Sequence, residues 1–374
     1  MIRSPHLVLA GGGCLGNLYP GLAVAKQLSQ LCPKLELSFV GSGEPSERHE
    51  ALTVCHNYLS VPAQPMPRSP LEGIRYLTDN AAGYWASRWL LGEKNASLLL
   101  ALGGPVSAVM ARAAHSRRTP FVLLEANARP SRTARALGGF AEAVCLSHPE
   151  SQTGMPVETP LVVTGTPTRA DFDGVPRLVA EHAGQKQLLV MAGANGKRAE
   201  NLNRGVVAAL TQVPQQLEGW RIVHQAGQGQ LQKVEQAYQA SGLDALVVTQ
   251  LDEIATAFAA SDLAICRAGA STLAELAAAG LPSILVPDPA APENQQAANA
   301  ANHVAAGCAV SAMENASEPL EIGLSRQLTE LLTNDLRRAQ MTKASEAISR
   351  PDAALRIAEI CAGLLGLGSV RAAA

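Results

Sequence analysis

The chain has 374 residues, 47% hydrophobic and 17% charged, which is enough apolar material for two ordinary domains and argues against disorder. The net charge of −2 gives no basic footprint for a nucleic acid, and seven cysteines without paired spacing argue for reduced thiols in a cytosol and against disulfides or a zinc site. No apolar run approaches the roughly 20 residues of a transmembrane helix, and the first residues do not resemble a signal peptide.

The first predicted element is a buried strand, His6–Ala10, which ends in a glycine-rich turn over residues 11–17. A helix is predicted from about Pro20 to Leu31. Such a turn lets the backbone approach a ligand closely. However, the glycine spacing is not a clean dinucleotide fingerprint, and the next predicted strand, residues 35–41, does not end in a convincing ribose-binding acid.

An aromatic helix is predicted over residues 71–91, after a proline-rich loop. It carries Tyr84, Trp85 and Trp89, with Arg75 and Arg88 among them. An apolar helix that contains tryptophan and has a basic rim can lie on an anionic membrane surface. The alternative is that these residues simply pack against the sheet.

Two further strands end in residues of chemical interest. Residues 97–102 run into Gly103-Gly104-Pro105 and then a helix to about residue 115, and residues 121–124 run into Glu125-Ala126-Asn127. An acid and an amide at the carboxyl end of a strand lie where open α/β sheets bind ligands. The alternative is a loop carboxylate in solvent. Short strands are also predicted near residues 143–146 and 161–164.

A second strand–helix series begins after a polar linker that extends to residue 185. Its predicted strands are residues 187–191, 221–224, 245–249, 262–266, 283–286 and 309–312. Two such series predict two doubly wound, Rossmann-like parallel sheets that face each other across a cleft. The predicted divisions are an N-terminal domain, 1–166, a C-terminal domain, 167–348, and a C-terminal helix, 349–374, that ends the second domain or crosses back to the first.

The strongest single ligand signal is the stretch Cys266–Glu275. A strand leads through Gly269 into a helix that Ser271 or Thr272 is placed to cap and that stops at Gly280. The free amides and the positive dipole end of such a helix suit a phosphate. Glu275, one turn inside, is near enough to reach a sugar hydroxyl beside it, although an ordinary turn without a ligand stays open.

Eight motifs follow one another along nearly the whole chain. They are Gly-Gly-Cys-Leu-Gly-Asn (12–17) with Pro-Gly-Leu-Ala (20–23), Gly-Gly-Pro-Val-Ser (103–107), Leu-Glu-Ala-Asn (124–127), Gly-Thr-Pro-Thr-Arg (165–169), Ala-Gly-Ala-Asn-Gly (192–196), His-Gln-Ala-Gly (224–227), residues 267–275 and Gln-Gln-Ala-Ala-Asn-Ala (295–300). Together they resemble the motifs of the MurG family, the peptidoglycan N-acetylglucosaminyltransferases of glycosyltransferase family 28, which have the GT-B fold.

The resemblance implies an inverting transferase that moves N-acetylglucosamine from UDP-N-acetylglucosamine to undecaprenyl-linked lipid I, forming lipid II in peptidoglycan synthesis, with consequences for cell shape and division. It implies a peripheral protein on the cytoplasmic face of the inner membrane, held to the anionic surface by a patch of Arg75, Tyr84, Trp85, Arg88 and Trp89. Other cell-wall synthesis proteins are further candidate partners. No obligatory cofactor and no metal site are implied, although a divalent cation can assist the diphosphate.

The resemblance also implies roles for individual residues. Arg169 and the amides after Gly269 would hold the diphosphate, Glu275 the ribose, and Gln296 the sugar hydroxyls. The implied substrate-binding set is Cys14, Leu15, Gly16, Asn127, Arg169, Ala194, Leu251, Ala270, Ser271, Thr272, Leu273, Ala274, Glu275, Gln295, Gln296 and Asn299.

Several positions depart from the family pattern. Asn17 stands at the family's histidine, and an amide cannot act as a general base. Leu15 replaces a glycine, and Ala194 replaces a serine. Glu125 is therefore the remaining candidate base. Three hypotheses stay open: an active family-type transferase, a transferase with another acceptor, and a non-catalytic relative that binds nucleotide sugars or assembly proteins.

Overall fold

The computed structural model describes residues 4–13, 15–67, 69–156, 158–172, 184–193, 196–314 and 318–367. The chain forms two compact units. Unit 1 comprises Met1–Ala170 together with Arg350–Ala374, and unit 2 comprises Asp171–Ser349. Each unit is built on one parallel sheet, so the predicted α/β class with two doubly wound sheets is confirmed.

The strands are short runs of apolar residues, as expected where both faces of a parallel sheet are covered. In chain order they are β1 (His6–Ala10), β2 (Glu36–Gly41), β3 (Asn57–Ser60), β4 (Leu98–Ala101), β5 (Phe121–Glu125), β6 (Ala143–Leu146), β7 (Leu161–Val163), β8 (Lys186–Met191), β9 (Trp220–Gln225), β10 (Leu246–Val248), β11 (Leu263–Cys266), β12 (Ser283–Leu285) and β13 (Ala309–Ser311).

The helices connect these strands and cover the sheets. In chain order they are α1 (Leu15–Leu31), α2 (Pro45–Ala51), α3 (Pro70–Glu93), α4 (Gly104–Arg117), α5 (Arg132–Leu137), α6 (Gly196–Leu210), α7 (Leu231–Ser241), α8 (Ile254–Ala259), α9 (Ala270–Ala278), α10 (Gln295–Ala305), α11 (Leu320–Thr333), α12 (Asp335–Ile348) and α13 (Ala353–Leu364). Within the described ranges, none of these helices combines the length and the apolar character needed to cross a bilayer.

The sheet of unit 1 has the order β3-β2-β1-β4-β5-β6-β7, and all its pairings are parallel. Alternate residues of β1 serve opposite faces. Leu7 and Leu9 belong to a core with α1 and α13, whereas Val8 and Ala10 belong to a core with α3 and α4. Because the strands are parallel, the carboxyl ends of β1, β4, β5 and β6 lie at one edge of the sheet, where open α/β sheets bind ligands.

The sheet of unit 2 has the order β10-β9-β8-β11-β12-β13 and is likewise parallel throughout. Strand β11 lies between β8 and β12. The turn after β11 and the loop after β12 thus lie side by side at the carboxyl edge, and they lead to α9 and α10.

Candidate active site

The glycine-rich turn after β1 is held by a side chain from outside the turn. Glu47 on α2 is only 3% exposed, and its carboxylate accepts a hydrogen bond from Gly13 N at 2.5 Å and another from Ser42 N at 2.9 Å. Tyr58 Oη donates to the same carboxylate at 3.1 Å. Burial, together with the Glu47 charge, raises the pKa of Tyr58 to about 12, so the phenol remains a donor at neutral pH.

The predicted helix start at Pro20 is wrong, because α1 begins at Leu15 and Pro20 lies inside it. Gly16 and Asn17 are therefore helical residues rather than turn residues. Proline is favoured in the first turn of a helix, so Pro20 indicated a helix start five residues later than the observed one at Leu15. Cys14 lies outside the described residues, as does the side chain of Leu15.

Asn17 is packed against the neighbouring glycine turn, the one between β4 and α4. A Cβ on Gly104 would lie 2.9 Å from Asn17 Nδ2, and a Cβ on Gly103 would lie 3.5 Å from Asn17 Oδ1. Gly103 and Gly104 both have positive φ, at 98° and 81° respectively. The amide at the family's histidine position thus fits closely into a turn that requires glycine.

Glu125 is the last residue of β5 and is only 3% exposed. Its Oε1 accepts hydrogen bonds from Asn127 N at 3.0 Å and Asn127 Nδ2 at 3.1 Å, and its Oε2 accepts one from Ser131 N at 2.7 Å. In this structure, the carboxylate therefore orders the loop that carries Asn127.

Arg169 lies after β7 and stacks on an aromatic ring of α1. Its guanidinium carbon is 4.2 Å from the centroid of the Tyr19 ring, a distance typical of a cation–π contact. The ring fixes one face of the guanidinium. The planar edge of an arginine is the part that binds phosphate oxygens.

His148 follows β6 at the same edge of the sheet as Glu125 and Asn127. Ser151 links the two loops, because its hydroxyl donates to Asn127 O at 2.8 Å. Burial lowers the pKa of His148, against an opposing effect of Glu150. The ring is therefore neutral at pH 7.

In unit 2, the predicted phosphate-binding helix start is α9. Its N-cap is Gly269, and no side chain caps it, so the prediction that Ser271 or Thr272 serves as the cap is wrong. Both lie inside the first turn, because the helix begins at Ala270, immediately after the glycine. Glu275 is 3% exposed and lies in the second turn, among buried Leu273, Leu276 and Ala277.

The glutamine pair and Asn299 lie on α10, after β12. Asn299 is fully buried, and its amide donates to Ala268 O, at the end of the β11 turn, at 3.2 Å. Gln296 Oε1 accepts a hydrogen bond from Asp288 N at 2.8 Å. These bonds connect α10 to the loops after β11 and β12, so the structure brings Gln296, Asn299 and the start of α9 to one edge.

The remaining implied residues are placed as follows. Gln295 and Ala274 are half-buried, on α10 and α9 respectively, and Leu251 is half-buried just before α8. Ala194 lies outside the described residues. Among the residues that are described, no group of three or more His, Cys, Asp or Glu side chains could hold a metal ion.

One face of α3 exposes large apolar side chains. Ile74, Leu77, Trp85 and Trp89 are each about two-thirds exposed, at 66%, 69%, 66% and 67%. Helical geometry places all four within one stripe. Tyr84 is half-buried and meets Trp85 edge to face, and Arg75 is exposed beside the stripe. Arg88 donates to Ser116 at the end of α4.

Four residues of this site were not predicted from the sequence: Glu47, Tyr58, Tyr19 and His148. Glu47 follows Gly41-Ser42-Gly43 and Pro45, a pattern typical of a strand end and a helix start, and this was the available signal. Its contact with Gly13 spans 34 positions, which no local pattern reveals.

Comparison with known proteins agrees with this architecture. Residues 7–146 match the glycosyltransferase family 28 N-terminal domain, and residues 187–357 match the C-terminal domain of that family. A protein of Syntrophotalea carbinolica is 32% identical over 373 residues, covering 96% of this chain and 99% of its own. Another, of Nitratidesulfovibrio vulgaris, is 32% identical and covers 95% and 96%. Both are named UDP-N-acetylglucosamine–N-acetylmuramyl-(pentapeptide) pyrophosphoryl-undecaprenol N-acetylglucosamine transferase.

Among solved structures, MurG of Acinetobacter baumannii superposes with a TM-score of 0.73 and 24% identity, covering 95% of this chain and 98% of that one. This likeness shows the shared fold. The two domain models together span most of the chain, and the relatives exceed 30% identity over nearly all of it. The chain therefore belongs to glycosyltransferase family 28.

Proposed function

We propose that this protein transfers N-acetylglucosamine from UDP-N-acetylglucosamine to undecaprenyl-diphospho-N-acetylmuramoyl-pentapeptide, a step of peptidoglycan synthesis. The observation that carries the proposal is the carboxyl edge of unit 2. There, the start of α9, with Gly269 as its N-cap, is joined by Glu275 one turn on and by Gln296 and Asn299 from α10. Relatives that are 32% identical over nearly their full length are named for the same transfer.

The donor side requires stabilisation of a leaving diphosphate. The N-cap of α9 is Gly269, which has no side chain to cover the first amides of the helix, so these amides and the helix dipole are suited to an anion. Arg169 would add a charge-assisted hydrogen bond as the glycosidic bond breaks. Glu275 would accept hydrogen bonds from the ribose hydroxyls, and Gln296, with Gln295 and Asn299, would bind hydroxyls of the sugar.

The acceptor side requires a group that takes the proton of the attacking hydroxyl. Glu125 stays our candidate for this base, and Asn127, which it orders, would lie beside the acceptor. The reaction is a single displacement with inversion at the anomeric carbon. The hydroxyl oxygen forms the new bond to that carbon as UDP leaves.

The test is transfer of radiolabelled N-acetylglucosamine from its UDP form to a lipid I analogue. We expect Glu275→Ala to raise the KM for the donor, and Glu125→Ala to lower kcat. Glu218→Ala, at an exposed position before β9, is the matched control. Turnover by the native protein that does not exceed that of Glu125→Ala would contradict the proposal.

Asn17 favours a second candidate, because an amide replaces the family's histidine and fits tightly against Gly103 and Gly104. The chain would then use another acceptor, or would bind a nucleotide sugar without chemistry. Mass spectrometry of products from a panel of acceptors identifies the first case. Binding of UDP in calorimetry without turnover on any acceptor identifies the second.

We further propose that α3 rests on the cytoplasmic face of an anionic membrane through Ile74, Leu77, Trp85 and Trp89, with Arg75 at the rim. Tryptophan and basic side chains are favoured at this interface. A lipid-linked acceptor resides at such a surface, which supports the assignment.

Co-sedimentation with phosphatidylglycerol vesicles tests the membrane proposal. We expect the double variant Trp85→Ser/Trp89→Ser, and separately Arg75→Glu, to weaken binding. Lys26→Glu makes the same charge change on α1, which covers the opposite face of the sheet, and it should have little effect. Equal sedimentation of all four proteins would rule out this surface.

We propose that a divalent cation, where it contributes, binds to the diphosphate of the donor rather than to a set of protein ligands. Chelation should then reduce transfer only partly, and added Mg²⁺ should restore it. Complete loss of activity on chelation, together with metal that copurifies with the protein, would contradict this.

A further inference from the structure

We propose that Glu47 is a positioning residue that holds the glycine-rich turn of unit 1 in the shape that binds the acceptor. This inference rests on the proposed function, because the acceptor is the substrate assigned to unit 1. Glu47 itself would not touch the substrate. It would act through the backbone of Gly12 and Gly13.

The carboxylate of Glu47 bridges the backbone of two loops of unit 1. It accepts hydrogen bonds from Gly13 N and Ser42 N, which belong to the loops after β1 and β2 respectively. One side chain of α2 thereby ties two neighbouring strand ends together. Burying a charged carboxylate is costly unless hydrogen-bond donors surround it. Glu47 has three such donors, Gly13 N, Ser42 N and Tyr58 Oη.

Tyr58 fixes the orientation of this carboxylate. The Tyr58 oxygen accepts a hydrogen bond from Gly43 N at 2.9 Å, and its proton is directed to Glu47 Oε2. The phenol is therefore constrained from both sides. The phenol is protonated at neutral pH, and burial raises its pKa further, so three donors converge on Glu47.

Two glycines make room for this arrangement. A Cβ on Gly12 would lie 2.8 Å from Glu47 Oε2, and a Cβ on Gly41 would lie 2.6 Å from the same atom. Gly12 also has a φ of 113°, which other residues rarely adopt. The carboxylate and the turn thus fit each other as a unit, with no room for an added methyl group.

The turn passes this constraint on to Asn17. A Cβ on Gly104 would lie 3.2 Å from Gly12 O and 2.9 Å from Asn17 Nδ2, so Gly12, Gly104 and Asn17 meet at one point. A shift of Gly12 would therefore displace both glycine turns.

The experiment compares Glu47→Gln with Glu44→Gln. Glu44 is exposed and lies three residues before Glu47, so it serves as the control. A glutamine places an N–H donor against one of the backbone donors. We expect Glu47→Gln to raise the acceptor KM about 10-fold or more with the donor KM unchanged. We also expect amide hydrogen exchange at Gly13 to accelerate.

Tyr58→Phe provides a milder second variant, because it removes one of the three donors to Glu47 and the acceptor of Gly43 N but leaves the bonds from Gly13 N and Ser42 N to the carboxylate. It should raise the acceptor KM less than Glu47→Gln does, and it keeps the test informative if Glu47→Gln folds poorly. Unchanged KM values in both variants, or equal rises for donor and acceptor, would overturn the inference.

The failure of the proposed function is distinguishable from this result. A native protein that transfers nothing would refute the transferase proposal. The exchange measurement at Gly13 then decides the positioning role alone. Exchange at equal rates in the native protein and in Glu47→Gln would overturn it.

Discussion

We predict that replacing Gly83 on α3 by alanine destabilises the protein, because the position has no room for a Cβ atom. A Cβ added there would approach Pro62 O far more closely than the 3.0 Å that real Cβ atoms keep. The partner is a backbone oxygen, so no side-chain rotation relieves the clash. Gly83→Ala must separate α3 from the loop that precedes it.

The magnitude follows from two opposing effects. Overpacking of this kind costs typically about 1–3 kcal/mol, and a rigid backbone partner favours the upper part of that range. Replacing glycine by alanine inside a helix stabilises the folded state by about 0.5–1 kcal/mol, because alanine has the higher helix propensity. We therefore expect the free energy of unfolding to fall by about 2 kcal/mol in Gly83→Ala. A loss of this size lowers Tm by about 4–8 °C for a domain of 150–250 residues.

Gly73, in the same helix, is the matched control. No atom lies within 4 Å of a Cβ built on it, so Gly73→Ala should gain helix propensity without a clash and raise Tm by about 2 °C. Scanning calorimetry of the three proteins measures these shifts. A Gly83→Ala protein that melts at or above the native temperature would refute the reasoning.

Three further predictions concern other parts of the chain. Under the diphosphate-binding role proposed for Arg169, Tyr19→Leu should raise the donor KM several-fold because the guanidinium loses the ring beneath it, whereas Tyr19→Phe should keep the native KM; equal values for both variants would show that the ring does not orient the guanidinium. Burial lowers the pKa of His224 to about 3, below its ordinary value of 6.5, so the unfolded state binds more protons between these values and the free energy of unfolding should fall as pH drops below about 6.5, by at most about 1.4 kcal/mol per pH unit. Urea unfolding at several pH values measures this slope, which His224→Gln should flatten. Burial raises the pKa values of Cys55 and Cys145 to about 12, so these thiols should react with a disulfide reagent at pH 8 only after denaturant is added; rapid labelling of either thiol in the native protein would contradict this.

Much of the fold could be predicted because buried parallel strands are short apolar runs bounded by glycine. Residues 143–146 were predicted as a strand and form β6, and the turn into α9 was recognised from Gly269. Strand β3 and helix α2 were missed. Both are short, and β3 is largely half-buried, so neither has a strong periodic pattern.

The candidate site was predictable only where its residues follow a strand in the sequence. Glu125, Asn127 and Glu275 each lie close to such a strand end. Glu47 and Tyr58 act on the glycine turn from 34 and more positions away, and the stacking of Arg169 on Tyr19 spans most of unit 1. Contacts of this kind are set by sheet order, which a single sequence does not specify.

The return of α13 to unit 1 has a consequence for synthesis on the ribosome. Ile357, Ala358 and Cys361 complete the same core as Leu18 and Leu28 of α1, yet the whole of unit 2 is translated between them. At about 5–20 residues per second, translation of unit 2 alone takes roughly 10–40 seconds before these residues can emerge. Throughout that interval the apolar face of α1 that α13 will cover stays exposed on the nascent chain. We expect a chaperone that binds exposed apolar surfaces to bind this face for longer than others.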